Sequence, residues 1–107
     1  MKRQLTFNKA INEAIYQSMN FDKKVICYGL GATDPRRVFY STENLVEKFG
    51  KNRVFDIPTS ENAMTGVAIG LANMGSKVVI SHQRVDFSFL SMDQIVNNLS
   101  KWHYMFG

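Results

Sequence analysis

The residues with the clearest potential for chemistry surround Glu61. Residues 53–61, RVFDIPTSE, have the pattern of a short apolar strand, a turn through Asp56 and Pro58, and a carboxylate that begins a small-residue helix. In open α/β sheets, ligands collect at the carboxyl ends of the strands, where such a turn lies. Glu61 is therefore either a charge that stabilises the start of a helix or a working acid. The pattern alone favours the helix-start charge.

A second polar and aromatic stretch, residues 81–89 (SHQRVDFSF), follows the next apolar run and is expected in the same crevice. It contains Phe87 and a single histidine, His82, for which a structural role is more typical than a catalytic one. The one cysteine, Cys27, lies within VICYGL, which predicts a buried and inert thiol. An internal disulfide and a metal site built on cysteines are thereby excluded.

Strands and helices alternate along the chain. Short apolar runs predict strands at residues 25–28, 54–56 and 77–80, and apolar periodicity predicts helices at 6–19, 41–49, 61–74 and 91–105. This order favours an α/β fold, a three-layer α/β/α arrangement around a mostly parallel sheet. Because three parallel strands leave their edges exposed, we expect residues 1–107 to be part of a larger domain.

The predicted helices differ in how they should be capped and packed. The helix at 41–49 is expected to be capped by Ser41 or Thr42 and to end at Gly50, and Gly75 should close the helix that Glu61 begins. Gly66 and Gly70, four residues apart, should let a neighbouring helix approach closely. The side chains predicted to face inward are Phe7, Ala10, Ile11, Ala14, Ile15 and Met19, then Met64, Val67, Ala68, Leu71 and Met74, and finally Ile95, Leu99, Trp102 and Met105.

Composition narrows the class of protein. The net charge is +4, but the thirteen basic residues are scattered and form no tract interleaved with aromatics, which argues against nucleic-acid binding. No apolar run approaches the roughly 20 residues that cross a bilayer, so no membrane role is expected. The start, MKRQLTFNKA, lacks the apolar centre of a signal peptide, and we therefore predict a cytoplasmic protein.

Several stretches in collinear order resemble one family. RVFDIPTSENAMTGVAIGLANMG and DFSFLSMDQIVNNLSKWHYMFG, with the opening TFNKAINEAIYQSM and the later LVEKFG, resemble the β subunit of the thiamine-diphosphate-dependent 2-oxo acid dehydrogenases of the pyruvate and branched-chain type. The match covers nearly all of this chain and about the first third of the family's β subunit. The resemblance implies that residues 1–107 are the beginning of a transketolase-like pyrimidine-binding domain. The rest of that domain and a C-terminal domain would then lie outside these residues.

The resemblance also implies a site. The acid that closes the family's P-x-S-E-like motif hydrogen-bonds a pyrimidine nitrogen of thiamine diphosphate, and Glu61 occupies that position. Such an acid favours the tautomer of the aminopyrimidine that removes a proton from the thiazolium carbon, so that a 2-oxo acid can be decarboxylated. Phe87 matches the aromatic residue that lies against the pyrimidine ring. Ile57 and Pro58 match the turn before the acid and are expected to line the cofactor pocket.

The other half of the cofactor site has no counterpart in this sequence. Nothing resembles the G-D-G…N stretch that binds Mg²⁺ and the diphosphate, so the resemblance implies that an α subunit supplies both and that this segment acts only in an assembly. The implied assembly is a heterotetramer with a second β subunit, which serves a lipoyl acyltransferase core. The implied activity is the oxidative decarboxylation of a 2-oxo acid, and the segment alone is expected to be inactive.

Two departures from the family pattern keep other interpretations open. Where the family has G-E at the end of the first strand, this chain has Gly29 and Leu30, and where it often has G-G, this chain has Arg36 and Arg37. The arginines suggest either a solvated loop or contact with an anionic substrate or partner. One alternative is another transketolase-like enzyme, such as a transketolase or a deoxyxylulose-phosphate synthase half. The other is a noncatalytic assembly subunit, which Leu30 would suit.

Overall fold

The computed structural model describes residues 3–34 and 36–107, so that Pro35 and the side chain of Arg37, both in the loop noted above, lie outside the described residues. Within these ranges no helix is both long and apolar enough to cross a membrane. The elements in chain order are α1 (Phe7–Phe21), β1 (Val25–Gly29), α2 (Arg37–Tyr40), α3 (Leu45–Phe49), β2 (Val54–Asp56), α4 (Glu61–Asn73), β3 (Lys77–Ser81), a 3₁₀ helix (Val85–Ser91), a π-helical segment (Asp93–Leu99) and α5 (Trp102–Phe106).

The three predicted strands form one parallel sheet in the order β2-β1-β3. β1 is central, and its Tyr28 is in register with Phe55 of β2 and Ile80 of β3. β1 and β3 each extend one residue beyond the predicted run, and β2 has the predicted bounds. The parallel α/β prediction is therefore confirmed, and the carboxyl ends of all three strands meet at one edge of the sheet.

The core has two halves, one on each face of the sheet. Successive side chains of a strand point to opposite faces, so Cys27 and Tyr28 belong to different halves. Helices α1 and α3 cover one face and α4 covers the other, which confirms the three-layer arrangement. The buried residues on the first face are Met19, Val25, Cys27, Leu45 and Val54, and those on the second are Tyr28, Met64 and Ala68.

Burial along α4 corrects part of the predicted pattern. Met64 and Ala68 are buried as expected, and Leu71 packs against the same cluster. Val67 and Met74 are instead exposed, Met74 by 86%, while Thr65 and Ile69 are buried. A small-residue helix has a weak apolar stripe, so the sequence could not determine which side of the stripe meets the sheet.

Burial at the two ends of the chain was also predicted wrongly. In α1, Met19 is buried and Ile15 packs on the core, but Phe7 is 84% exposed, and Ala10, Ile11 and Ala14 are exposed as well. The helix predicted at 91–105 is divided into the π-helical segment and α5, and the 3₁₀ helix forms in the stretch predicted as a loop. Leu99, Trp102 and Met105 are exposed. Both apolar stripes exist, but within the described residues no element covers their outer parts.

The predicted helix ends are confirmed at the two glycines but not at the two hydroxyl residues. Gly50 and Gly75 end α3 and α4 with positive φ angles of 81° and 92°, as predicted. Ser41 and Thr42 do not cap α3, which begins after Asn44. Their hydroxyls instead donate to backbone carbonyls in the preceding loop, those of Val38 and Ala32 respectively.

Candidate functional site

Glu61 is the first residue of α4 and lies just beyond the carboxyl end of β2. Only 8% of its surface is exposed. Among the described residues, no hydrogen bond or ion pair reaches its carboxylate. The carboxylate oxygens are not among the fully enclosed, unsatisfied atoms of this part of the chain, so they keep some access to the surface. A sheltered acid with free acceptor atoms can bind a ligand group that donates a hydrogen bond.

Two hydroxyls hold the backbone of Glu61 in place. The carbonyl oxygen of Glu61 accepts hydrogen bonds from Thr65 Oγ1 at 2.9 Å and from Ser91 Oγ at 2.8 Å. Ser91 is completely buried and ends the 3₁₀ helix that carries Phe87. The start of α4 is thus tied to the segment after β3. Sequence reasoning identified Ser91 only as the first residue of the final predicted helix, because no local pattern indicates a contact with a residue 30 positions away.

The other residues predicted for the cofactor pocket lie on either side of this point. Ile57 is half-buried and packs against the cluster of Tyr28, Met64 and Ala68, whereas Pro58 is exposed. Leu30, which replaces the family's acid, packs against the same apolar cluster. Ile57 therefore packs on the core, and Pro58 lies at the surface of the turn.

Phe87 lies in the 3₁₀ helix and is half-buried. It lines a cleft of about 440 Å³, and the guanidinium carbon of Arg84 lies 4.8 Å from the centre of its ring. Arg84 is in turn paired with Asp86, Nε to Oδ1 at 3.1 Å and Nη2 to Oδ2 at 2.7 Å. The residues that line the cleft are Gly31, Asp34, Arg36, Val38, Phe39, Gln83, Arg84 and Phe87.

The structure brings the predicted residues to one edge of the sheet but not into one cavity. Glu61 and Phe87 belong to elements that pack against each other, α4 and the 3₁₀ helix. The cleft at Phe87 is lined by other residues, and Glu61, Ile57 and Pro58 are not among them. The described chain therefore presents a sheltered acid and an aromatic ring as neighbouring parts of an open edge.

The loop after β1 forms the opposite wall of the cleft and is held by Asp56. The Asp56 carboxylate accepts hydrogen bonds from the Thr33 amide at 3.1 Å and from the Thr33 hydroxyl at 2.7 Å. At Gly29, where φ is +146°, an added Cβ would lie 2.3 Å from the carbonyl oxygen of Ser81. Only glycine therefore fits where β1 leaves the sheet.

Within the short α2 segment, the backbone then makes an unusual left-handed turn in place of a regular helix. Val38, Phe39 and Tyr40 have φ angles of 48°, 55° and 68°, a region that costs roughly 1 kcal/mol or more for residues other than glycine. Asn8 Nδ2 and Ser41 Oγ donate hydrogen bonds to the carbonyls of Phe39 and Val38, at 3.0 and 2.8 Å. Side chains from α1 and from the loop itself thus hold the turn beside the cleft.

Cys27 and His82 both line a cavity beside α1, which covers the face of the sheet opposite α4. Cys27 is completely buried, and burial raises the pKa of its thiol to about 11, as expected of an inert cysteine. His82 lines a mostly apolar cavity of about 400 Å³ between α1 and the end of β3. In the described part of the chain, its Nδ1 is the one enclosed side-chain nitrogen or oxygen without a hydrogen-bond partner.

The two glycines of α4 differ. An added Cβ at Gly66 would lie 3.3 Å from the Oε1 atom of Gln94, so Gly66 permits close approach of the π-helical segment. Gly70 has nothing within 4 Å of the same position. The predicted close approach is therefore present at Gly66 alone within the described residues.

A parallel α/β domain with an acid at the first turn of a helix, beside the carboxyl ends of its strands, belongs to the class of ligand-binding α/β domains. Comparison with protein families then identifies the type. Residues 3–107 match the transketolase pyrimidine-binding domain, and the chain belongs to this family.

The curated relatives include β subunits of 2-oxo acid dehydrogenases. The chain is 39% identical over 100 residues to the "3-methyl-2-oxobutanoate dehydrogenase subunit beta" of Mycobacterium tuberculosis, which covers 94% of this chain and 29% of the relative. It is 34% identical over 104 residues to the "Pyruvate dehydrogenase E1 component subunit beta" of Rickettsia bellii, covering 97% and 32%. A mitochondrial pyruvate dehydrogenase β subunit of Arabidopsis thaliana is also 34% identical, covering 96% and 28%. The resemblance seen in the sequence is thus confirmed, and the chain spans less than a third of the length of these relatives.

Proposed function

We propose that this chain is the pyrimidine-side segment of the β subunit of a thiamine-diphosphate-dependent 2-oxo acid dehydrogenase. One observation carries the proposal: Glu61 is only 8% exposed as a residue, and its carboxylate has no hydrogen-bond partner among the described residues. A sheltered carboxylate whose acceptor atoms are left free is available to a ligand, and such sites are often functional. The names of the relatives, pyruvate and branched-chain dehydrogenases, support this function over the transketolase and synthase alternatives.

The residues at the sheet edge fit the pyrimidine end of thiamine diphosphate. Glu61 offers carboxyl oxygens to a ring nitrogen, and Phe87 offers a flat apolar surface next to a cleft. Ile57 packs against the apolar cluster, and Pro58 is exposed and so available to a ligand. We assign these four residues to cofactor binding.

The role of the chain's own residues follows from this placement. When bound, thiamine diphosphate supplies the carbanion chemistry that decarboxylates a 2-oxo acid. Glu61 holds or releases a proton at its carboxyl group while bonded to the pyrimidine. Ser91 and Thr65 hold the backbone carbonyl of Glu61 at 2.8 and 2.9 Å, so that the backbone from which the carboxyl group projects is already fixed when the cofactor binds.

The remaining parts of the site are assigned to partners. No G-D-G…N stretch is present in these 107 residues, so we assign Mg²⁺ and the diphosphate to an α subunit, in a heterotetramer with a second β subunit. The product acyl group would pass to a lipoyl acyltransferase core. We place the protein in the cytoplasm, although the names of the plant relatives place those proteins in mitochondria.

The noncatalytic alternative is tested by Glu61→Gln in the complete α/β complex. The amide keeps the size of the side chain but loses the exchangeable acid, so we expect the rate of 2-oxo acid decarboxylation to fall about 100-fold or more. The unfolding midpoint should change little, because the Glu61 carboxylate makes no bond within the described chain.

The matched control is Glu43→Gln, which changes an exposed acid in the turn before α3 and should leave both quantities unchanged. Decarboxylation at nearly the full rate in Glu61→Gln would show that Glu61 is not catalytic and would favour the assembly-subunit function.

A further inference from the structure

Arg84 stands in a defined relation to the aromatic ring at the cleft. Arg84 precedes the 3₁₀ helix, and the amide of Phe87 donates to the carbonyl of Arg84 at 3.2 Å, closing the first turn. In a 3₁₀ helix, side chains three residues apart lie one above the other. The guanidinium of Arg84 therefore covers one face of the Phe87 ring, at 4.8 Å from its centre.

Asp86 holds the guanidinium in that position. Its two carboxylate oxygens accept hydrogen bonds from Nε and Nη2 of Arg84 in the forked geometry that suits arginine. Each group favours the charged form of the other: the pKa of Asp86 is lowered and that of Arg84 is raised. The pair is largely exposed, so holding the guanidinium over a ring is a more specific effect of the pair than stabilising the fold.

We propose that Arg84 is a positioning residue for Phe87: with Asp86 it covers one face of the ring, so that the ring is already held at the cleft when the cofactor's pyrimidine contacts it. This inference rests on the proposed function, because it takes Phe87 to contact the cofactor. A ring that is already fixed loses less conformational freedom when a ligand stacks on it, so the contribution appears in cofactor affinity rather than in the chemical step.

The test measures thiamine diphosphate binding by calorimetry, and kcat, in the complete α/β complex. Arg84→Met removes the charge and the fork but keeps an apolar stem, and should weaken cofactor binding about threefold to tenfold while kcat changes less than about twofold. Arg84→Lys keeps a cation near the ring without the fork and should recover part of the affinity.

The chain offers a matched control for the loss of an exposed arginine pair. Arg3 makes a similar forked pair with Glu13, at 2.9 and 2.8 Å, and its side chain is 69% exposed compared with 64% for Arg84. Arg3→Met should leave cofactor affinity unchanged. A loss of affinity as large in Arg3→Met as in Arg84→Met would overturn the inference.

Phe87→Leu and the double variant separate the two proposals. If Phe87→Leu binds the cofactor like the wild type, Phe87 does not contact it and the inference fails together with that part of the proposed function. If Phe87→Leu weakens binding but Arg84→Met does not, the inference alone fails. We expect Arg84→Met to have little further effect once Phe87 is leucine, and full additivity would show that Arg84 acts independently of the ring.

An additional measurement does not depend on the cofactor. In NMR spectra of the complete β subunit, the Nε–H signal of Arg84 should carry a ring-current shift that disappears in Phe87→Leu. A signal at the same position in both proteins would show that the guanidinium does not lie over the ring in solution.

Discussion

The two edges of the sheet are held together by different means. At the amino ends of the strands, the guanidinium of Arg53 donates to the carbonyls of Met19, Asp22 and Val25 and lies 5.1 Å from the centre of the Phe49 ring. At the carboxyl ends, Arg84 also lies over an aromatic ring, but it is exposed and bonded to a neighbouring carboxylate.

The difference between these arginines separates scaffold from site. Arg53 donates to carbonyls at the end of α1 and at the start of β1, so it joins two elements. Among the described residues, Arg84 forms side-chain hydrogen bonds only within its own segment, and it lines the surface of a cleft. We therefore expect changes at the amino edge to alter stability and changes at the carboxyl edge to alter ligand binding.

The largest expected stability effect is at Arg53. Arg53→Met leaves three half-buried carbonyl oxygens with fewer partners, and hydrogen bonds from charged groups contribute about 1.5–3 kcal/mol. We expect urea unfolding to show a loss of roughly 2–3 kcal/mol, with Arg53→Lys recovering only part because an ammonium cannot reproduce the fork. Arg3→Met, at the other end of α1, is the control and should cost less than about 1 kcal/mol. Equal losses in the two methionine variants would erase the distinction between scaffold and surface arginines.

The next effect concerns the middle strand and depends on pH. Burial raises the pKa of Cys27 from 9.0 to about 11, so the folded protein holds this proton more tightly than the unfolded chain. This contribution to the free energy of unfolding is fully present below pH 9 and is lost as the pH rises toward 11. The loss at pH 10 is about 1.4 kcal/mol. Unfolding of the wild type and of Cys27→Ala at pH 8 and pH 10 measures this difference. The variant should lose about that much less between the two values, and identical losses would contradict the assignment.

The smallest expected effect is at the carboxyl edge. Asp56→Asn keeps one oxygen acceptor for Thr33 and loses the charge and the second acceptor, so we expect a cost of about 0.5–1 kcal/mol. Amide hydrogen exchange at Thr33 should become faster, since the loop is then held less firmly. A cost as large as that of Arg53→Met would mean that both edges serve the scaffold equally.

The sequence predicted the regular parts of this fold well. The three strands, the start of α4 at Glu61 and the glycines that end α3 and α4 follow from local rules: continuous apolar runs, a turn before a small-residue helix, and residues that accept positive φ angles. Local pattern singled out Glu61 as a helix-start charge or a working acid, whereas the cofactor-binding roles of Glu61 and Phe87 came from the resemblance and remain predictions.

The wrong predictions concern packing partners. Val67 and Met74 were expected inside and lie outside, because periodicity identifies an apolar stripe without showing which element covers it. The caps predicted at Ser41 and Thr42 failed because both hydroxyls found carbonyls in a left-handed turn that no local pattern indicated.

The sequence by itself determined the positions of the strands along the chain, the apolar character of β1 and the family, because these depend on residue type and short spacing. Only the tertiary structure decided that Ser91 holds the carbonyl of Glu61, that Arg53 joins α1 to β1, and that Asp56 fixes the loop at Thr33. These contacts join residues 23 to 34 positions apart. Their partners are therefore chosen by how the helices pack on the sheet, which no short stretch of sequence specifies.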